Sequence, residues 1–390
     1  MFRKGTTFVI GAGASAEFGM PVGSELAKRI RGSALIGGAG SPNPIAGDDF
    51  FYNSIEQLAL LGTDRVKLMD AALTIYNGIH TAVSIDAFID RFSSDDTIAL
   101  IGKMLIALEI AKAESESSMS SRYRSRMLES PQEEFYNSYG TKLINPDDTW
   151  IGQFLRILCD GVKDPEKLGN NINIICFNYD RCIEYYLCQQ IAAAYKLAPA
   201  DAADIVSGMN IIHPYGTLGQ LPVQDGGHGE GILTFGAGRN RGLDLQSVAR
   251  NIRTYTEQQH DTETITDIHK AIVECHVLVF LGFGFNNQNL DLLRASHLSS
   301  LDLLLVKKIY TSGVGIARQV EETLKRRIMH ILWNGDDIHK QREGSVHVEY
   351  DHTCNELFKT HNMNLSSFTR AYFDETQKGK RQVITSLFSD

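Results

Sequence analysis

The chain is predicted to be α/β: a mostly parallel, Rossmann-like sheet with helices on both faces and a helical insertion over its cleft. Three observations predict this. Short apolar runs at residues 6–12, 171–176, 210–212 and 275–281 each end in polar or glycine-rich residues, as buried parallel strands do where they deliver side chains to a site. A glycine turn, "GAGAS", directly follows the first run. Helical periodicity then alternates with the later runs, which favours a doubly wound arrangement over segregated layers.

The elements follow in order. Residues 6–12 read as a buried strand entering a tight turn, and Ala16 to about Arg31 as a helix that Met20-Pro21 interrupts early, because proline removes a donor and clashes backward. Residues 31–49, rich in Gly, Pro and Ser, read as a mobile loop or a lid. Residues 51–118 are mostly helical by apolar spacing, 114–126 read as an exposed connection or helix end, and 149–162 resume helix. Strands are expected within 171–180, 210–219, 275–293 and 301–313, with a helix from Cys182 to about Leu197. The organisation is thus a nucleotide-type domain from 1–30 and 171–335, a helical insertion at 31–170, and a C-terminal extension at 336–390. The extension is expected to add an edge strand or a small oligomer contact; sequence does not decide between them.

Composition bounds the function. The 390 residues carry a formal net charge of -9, which argues against coating nucleic acid, and 43% are hydrophobic, enough for a substantial core. Six cysteines form no CxxC pair, so a four-cysteine zinc site is not expected; no metal ligands are assigned. With no signal peptide and no stretch of 18 apolar residues, the expectation is a cytoplasmic protein with reduced thiols.

The candidate site residues lie at the strand ends. Gly11, Ala12 and Gly13 let backbone approach a pyrophosphate, Ser15 adds a hydroxyl, and the following helix points N–H groups at the anion. The alternative is a tight turn without a ligand. No acidic residue closes a second strand about 20 residues on, which counts against hydride transfer, and no Lys-Ser/Thr follows the glycines, which counts against ATP chemistry. At the second tip stand Asn178, Tyr179 and Asp180; an amide there can hold ribose hydroxyls or water, while Asp180 is either an orienting carboxylate or a helix cap. At the third tip His213, pinned by Pro214, is either a base near neutral pH or a packed histidine. At the fourth, Gly282 and Gly284 permit close approach, and Asn287 and Asn289 offer amides. Asp86 and Asp90, four apart on one helix face, either reach the cleft rim or face solvent, the latter favoured for Asp90.

Together "GAGASAEFGMPVG", "FNYD", "HPYG" and "GFGFNNQN" resemble the SIR2-like NAD-binding proteins of bacterial antiphage defence, over residues 6 to about 320. Met20-Pro21 stands where sirtuins carry Ile-Pro, residues 177–180 where they carry Gln-Asn-Ile-Asp, and His213 at their catalytic histidine. The resemblance implies an NAD pocket formed by Gly11, Ala12, Gly13, Ser15, Pro21, Tyr179, Gly282, Gly284 and Asn287. It implies His213, Asn178 and Asp180 as the catalytic set. It further implies NAD as substrate, no zinc module, a homo-oligomer and a partner such as a HerA-type ATPase. The expected activity is hydrolysis of NAD to nicotinamide and ADP-ribose, switched on by infection. A protein deacylase or ADP-ribosyl transferase stays open as an alternative, as does a nucleotide-gated scaffold for a partner ATPase or nuclease.

Overall fold

The computed structural model describes residues 1–36, 47–130, 132–222, 231–238, 242–259, 261–295, 307–332 and 345–367. Six strands form one sheet: β1 (Thr6–Ile10), β2 (Ile172–Cys176), β3 (Ile211–Ile212), β4 (Val277–Leu281), β5 (Lys308–Gly313) and β6 (Val346–Tyr350). Their order is β3-β2-β1-β4-β5-β6 and every pairing is parallel. This is the Rossmann strand order, with the topological switch point between β1 and β4. β1 is buried along its whole length, as a central strand covered on both faces must be.

The alternation along β1 shows the two faces. Phe8 packs to one side, against Phe154 (ring centroids 5.2 Å apart) and Phe358 (6.2 Å). Its neighbour Thr7 points the other way and donates its hydroxyl to the Ala271 carbonyl at 2.8 Å. Burying one such phenylalanine contributes about 1.5–3 kcal/mol.

The helices are α1 (Ala12–Ser15), α2 (Gly23–Ala34), α3 (Asp49–Leu60), α4 (Arg65–Gly78), α5 (Ile85–Arg91), α6 (Asp96–Glu116), α7 (Ser121–Glu129) and α8 (Trp150–Cys159). After β2 come α9 (Cys182–Tyr195) and α10 (Pro199–Ser207); before β4 come α11 (Leu245–Ala249), α12 (Tyr255–Gln259) and α13 (Thr262–Glu274). The last three are α14 (Asn287–Leu293), α15 (Glu321–Met329) and α16 (Cys354–Leu365). The long α6 is the axis of the insertion. Its run "IALIGKMLIALEIAKA" is mostly apolar and is buried without a break from Ile101 to Ala111, as a helix surrounded by α2, α3, α4, α5 and α11 should be.

Three expectations are sharpened. The span from Ala16 to Arg31 is two pieces, a 3-10 turn at Ala16–Phe18 and α2 from Gly23, separated at Met20-Pro21 with Val22 extended, and helix already begins before it with α1 at Ala12. The polar stretch 114–126 is the second of its two readings, a helix end: α6 runs to Glu116, Ser117, Ser118 and Ser120 are buried, and α7 begins at Ser121. Burial is tolerated because Ser117 and Ser120 donate their hydroxyls to the carbonyls of Glu114 and Ser117 at 2.8 Å each. The C-terminal extension supplies β6, an edge strand pairing with β5 from Ile309↔Val346 onward, and α16, which covers Phe8. The lid expected at 31–49 lies largely outside the described residues, as does the start of the run at 301–313.

Candidate functional site

The carboxyl ends of all six strands open into one cavity of about 640 Å³. Gly11 follows β1, Asn178 follows β2, Tyr215 follows β3, Gly282 follows β4, Val314 follows β5 and His352 follows β6. The insertion closes the opposite wall with Ser84, Ile85, Asp86 and Ile110. Among the described residues no lysine or arginine lines the cavity. The helices α1, α2, α14 and α16 all begin at its wall, so backbone N–H groups lie there beside the carboxylates of Glu17, Asp86 and Asp180. Of these, α2 starts at Val22 and Gly23 without a side-chain cap, so its first N–H groups face the cavity region unsatisfied by any cap.

The glycines are required by each other as well as by any ligand. A Cβ on Gly13 would lie 2.8 Å from the Gly282 Cα, and one on Gly11 2.7 Å from the Gly282 carbonyl oxygen. The Gly13 N–H donates to that same carbonyl at 3.0 Å. Ala12 is the residue of the turn that lines the cavity and whose N–H takes no backbone acceptor among the described residues. A Cβ on Gly284 would meet only the Asn286 side chain, at 3.8 Å, an ordinary contact, so Gly284 is not held to glycine by packing as Gly11 and Gly13 are.

Asn178 ties two strand ends together. Its Nδ2 donates to the Gly11 carbonyl at 3.1 Å and to Ser15 Oγ at 2.9 Å. The Ser15 hydroxyl in turn reaches the Asp180 carboxylate, whose Oδ1 accepts the Cys182 N–H at 3.1 Å. Ser15 therefore lies under the turn rather than on the cavity wall, and Asp180 holds the first N–H of α9 from one residue before its N-cap, Arg181. Burial raises the Asp180 pKa despite these bonds.

His213 is placed differently from the expectation. It does not line the cavity. Its Nε2 bonds Glu184 Oε1 at 2.6 Å and its Nδ1 bonds the Asn178 carbonyl at 3.1 Å. Burial works against the charged ring, yet the Glu184 carboxylate outweighs it and holds His213 protonated well above the ordinary imidazole range. With both nitrogens donating, the ring has no lone pair to accept a proton. The reason is local: the chain turns at His213–Gly216, closed by the Gly216 N–H on the His213 carbonyl at 3.0 Å, so His213 turns back to α9. Tyr215, two residues on, enters the cleft instead and donates its hydroxyl to Asn289 Oδ1 at 2.8 Å.

The fourth tip is likewise shifted by one residue. Asn286 and Asn289 line the cleft, whereas Asn287 lines a separate cavity of about 370 Å³ beside Asp291 and Arg294. Pro21 and Tyr179 are where they were expected, on the cleft wall.

Sequence reasoning underrated Asp86. It sits in the first turn of α5, which Ser84 caps by accepting the Ala87 N–H at 3.1 Å. Buried Ile85, Phe88 and Ile89 fix the helix. The Tyr179 hydroxyl donates to Asp86 Oδ1. Asp90, one turn on, does not face solvent: it accepts Thr256 Oγ1 at 2.6 Å and Gln288 Nε2 at 3.1 Å. Burial pushes the Asp86 pKa from 3.8 up to about 6, against the lowering effect of the Tyr179 bond. A folded-state value above the unfolded one penalises the fold wherever the group is ionised. The penalty is full above about pH 6 and absent below the unfolded value of 3.8. Asp86→Asn is therefore expected to stabilise the protein at pH 8 by about 1–3 kcal/mol, reduced by water in the cleft, with the gain gone near pH 4. Denaturant melts at the two pH values check this.

All six cysteines are free, and Cys176, Cys182 and Cys188 sit on β2 and α9 as packing residues. No group of three or more His, Cys, Asp or Glu among the described residues is arranged to hold a metal ion, and no helix among them is long and apolar enough to cross a membrane. No protein-family model matches the chain, and no curated protein is significantly similar to it.

Proposed function

We propose that this cleft binds NAD and hydrolyses the bond between nicotinamide and ribose, giving nicotinamide and ADP-ribose. The observation that carries the reading is the cavity itself: six parallel strand ends, a glycine turn at the switch point, and helix N-termini facing a site that has no lysine or arginine among the described residues. Such a site suits a dinucleotide whose pyrophosphate is held by backbone N–H groups, with Ala12 and the start of α2 as donors. Asn178 is the residue that fixes the turn against the β2 tip. His213 acts at a distance from the substrate, as a charged strut under the Asn178 carbonyl.

The chemistry needs little acid catalysis, because nicotinamide leaves as a neutral molecule. It needs a fixed ribose, an ordered water and exclusion of bulk solvent. The motif resemblance extends the proposal to depletion of cellular NAD during phage infection, in a homo-oligomer working beside a HerA-like ATPase. The test is incubation of the purified chain with NAD, alone and together with the protein encoded beside it, and chromatographic separation of products. Equal amounts of free nicotinamide and ADP-ribose are expected. Consumption that requires an acyl-lysine peptide, or conversion to the reduced cofactor, would contradict the proposal.

A further inference from the structure

We infer that Asp86 is the reacting carboxylate of the cleft, meeting the positive charge that develops on the ribose and then taking the proton of the attacking water. The inference rests on the hydrolase reading and assigns the chemical step to a residue of the helical insertion.

The three carboxylates of the cavity wall differ in how they are satisfied. Glu17 accepts two helix-start N–H groups, from Trp150 at 3.2 Å and Asn355 at 2.9 Å. Asp180 accepts the Cys182 N–H and the Ser15 hydroxyl. Both are structural acceptors. Asp86 receives only the neutral Tyr179 phenol and its own backbone N–H, and no cation pairs with it among the described residues. Two other carboxylates are neutralised by cations, Glu114 by Arg181 and Glu184 by His213, while Asp180 and Glu17 are satisfied by the neutral donors named above. A partly buried carboxylate without a counter-charge, opening into a cavity that has no lysine or arginine among the described residues, complements a cation supplied from outside.

NAD brings that cation. The nicotinamide ring is positive before cleavage, and the charge passes to the ribose as the bond lengthens. In the step, the C1′–N bond breaks and its electron pair leaves with nicotinamide. A water oxygen bonds C1′, and the proton it sheds goes to Asp86 and then to solvent. The sum is NAD⁺ plus water giving nicotinamide, ADP-ribose and a proton. A carboxylate beside an oxocarbenium-like centre is the arrangement glycoside-cleaving sites use. Tyr179 fixes the rotamer of the carboxylate without quenching its charge.

The experiment compares wild type, Asp86→Asn and Asp90→Asn for nicotinamide release between pH 4.5 and 8.5, and for ADP-ribose binding by calorimetry. The charged and titratable groups around Asp86 are Tyr179 and Tyr215 from the strand tips, Asp90 on its own helix, and Glu257 of α12, which Lys103 of α6 neutralises at 2.6 Å. The wild-type rate is expected to rise with pH to about 6 and then level off. Asp86→Asn should lose about 100-fold or more in turnover, keep ADP-ribose affinity within about 3-fold, and melt no earlier than wild type. Asp90→Asn should stay within about 3-fold of wild type, because Thr256 and Gln288 can still bond the amide. Turnover by Asp86→Asn within about 3-fold of wild type would overturn the inference and leave the hydrolase reading intact. ADP-ribose binding with no cleavage by wild type would contradict the hydrolase reading and the inference with it.

Discussion

Replacing Gly282 with alanine is expected to cost about 2–5 kcal/mol of stability and to abolish dinucleotide binding. Gly282 leaves β4 with φ at +56°, in the left-handed region that a side chain makes unfavourable. A Cβ there would sit 2.0 Å from the Ala14 nitrogen and 2.6 Å from the Gly13 Cα, so backbone itself must move. The turn after β1 and the turn after β4 touch across the switch point, and the Gly13–Gly282 hydrogen bond of 3.0 Å holds them together. Any shift there displaces Ala12 and the start of the binding turn. Urea unfolding and ADP-ribose calorimetry on the variant check both parts. A variant of wild-type stability with wild-type affinity would show that the two turns are not tightly coupled.

Arg181→Met is expected to destabilise the chain by about 3–5 kcal/mol, because it strands a buried charge. Arg181 and Glu114 are each at most 2% exposed, and they pair at 2.6 Å. The pair is also a joint. Glu114 belongs to α6 of the insertion and receives the Arg181 backbone N–H at 3.1 Å and the Gly236 N–H at 3.0 Å. Arg181 follows the 177–180 tip directly and donates to the carbonyls of Leu233 and Thr234. Losing the guanidinium therefore loosens the insertion, the second tip and the 231–238 segment together. Adding Glu114→Gln removes the stranded charge, so the double variant should be more stable than the sum of the single effects implies. Additive losses in that cycle would contradict a coupled joint.

Most of the architecture was legible because it is written in burial. "FVI", "INIIC" and "VLVFL" are short, apolar and followed by polar or glycine residues, and each is a central strand. The edge strand "VHVEY" alternates and is half-buried, a weaker pattern that an exposed hairpin would also give. The site was legible at the level of strand tips and less so at single residues. A turn decides which side chain enters the cleft, and chemistry alone favours the histidine: His213 was chosen by type, while the turn closed at Gly216 sends Tyr215 inward. The choice of Asn287 over Asn286 fails for the same reason, since a helix start rotates successive side chains by about 100°. Asp86 was visible only as one of two acids on an amphipathic helix. What separates it from Asp90 is the partner each meets, Tyr179 for one and Thr256 with Gln288 for the other, and those contacts cross 93 residues or more of chain.

The measurement that tests the central claim most directly is hydrogen exchange of the wild-type chain with and without saturating ADP-ribose, read peptide by peptide. Slowed exchange is expected in peptides covering residues 8–18, 177–180 and 282–290, where the strand ends meet at the cavity. Unchanged exchange there, with protection confined to α3 and α4 of the insertion or absent altogether, would contradict a dinucleotide site at the carboxyl edge of the sheet.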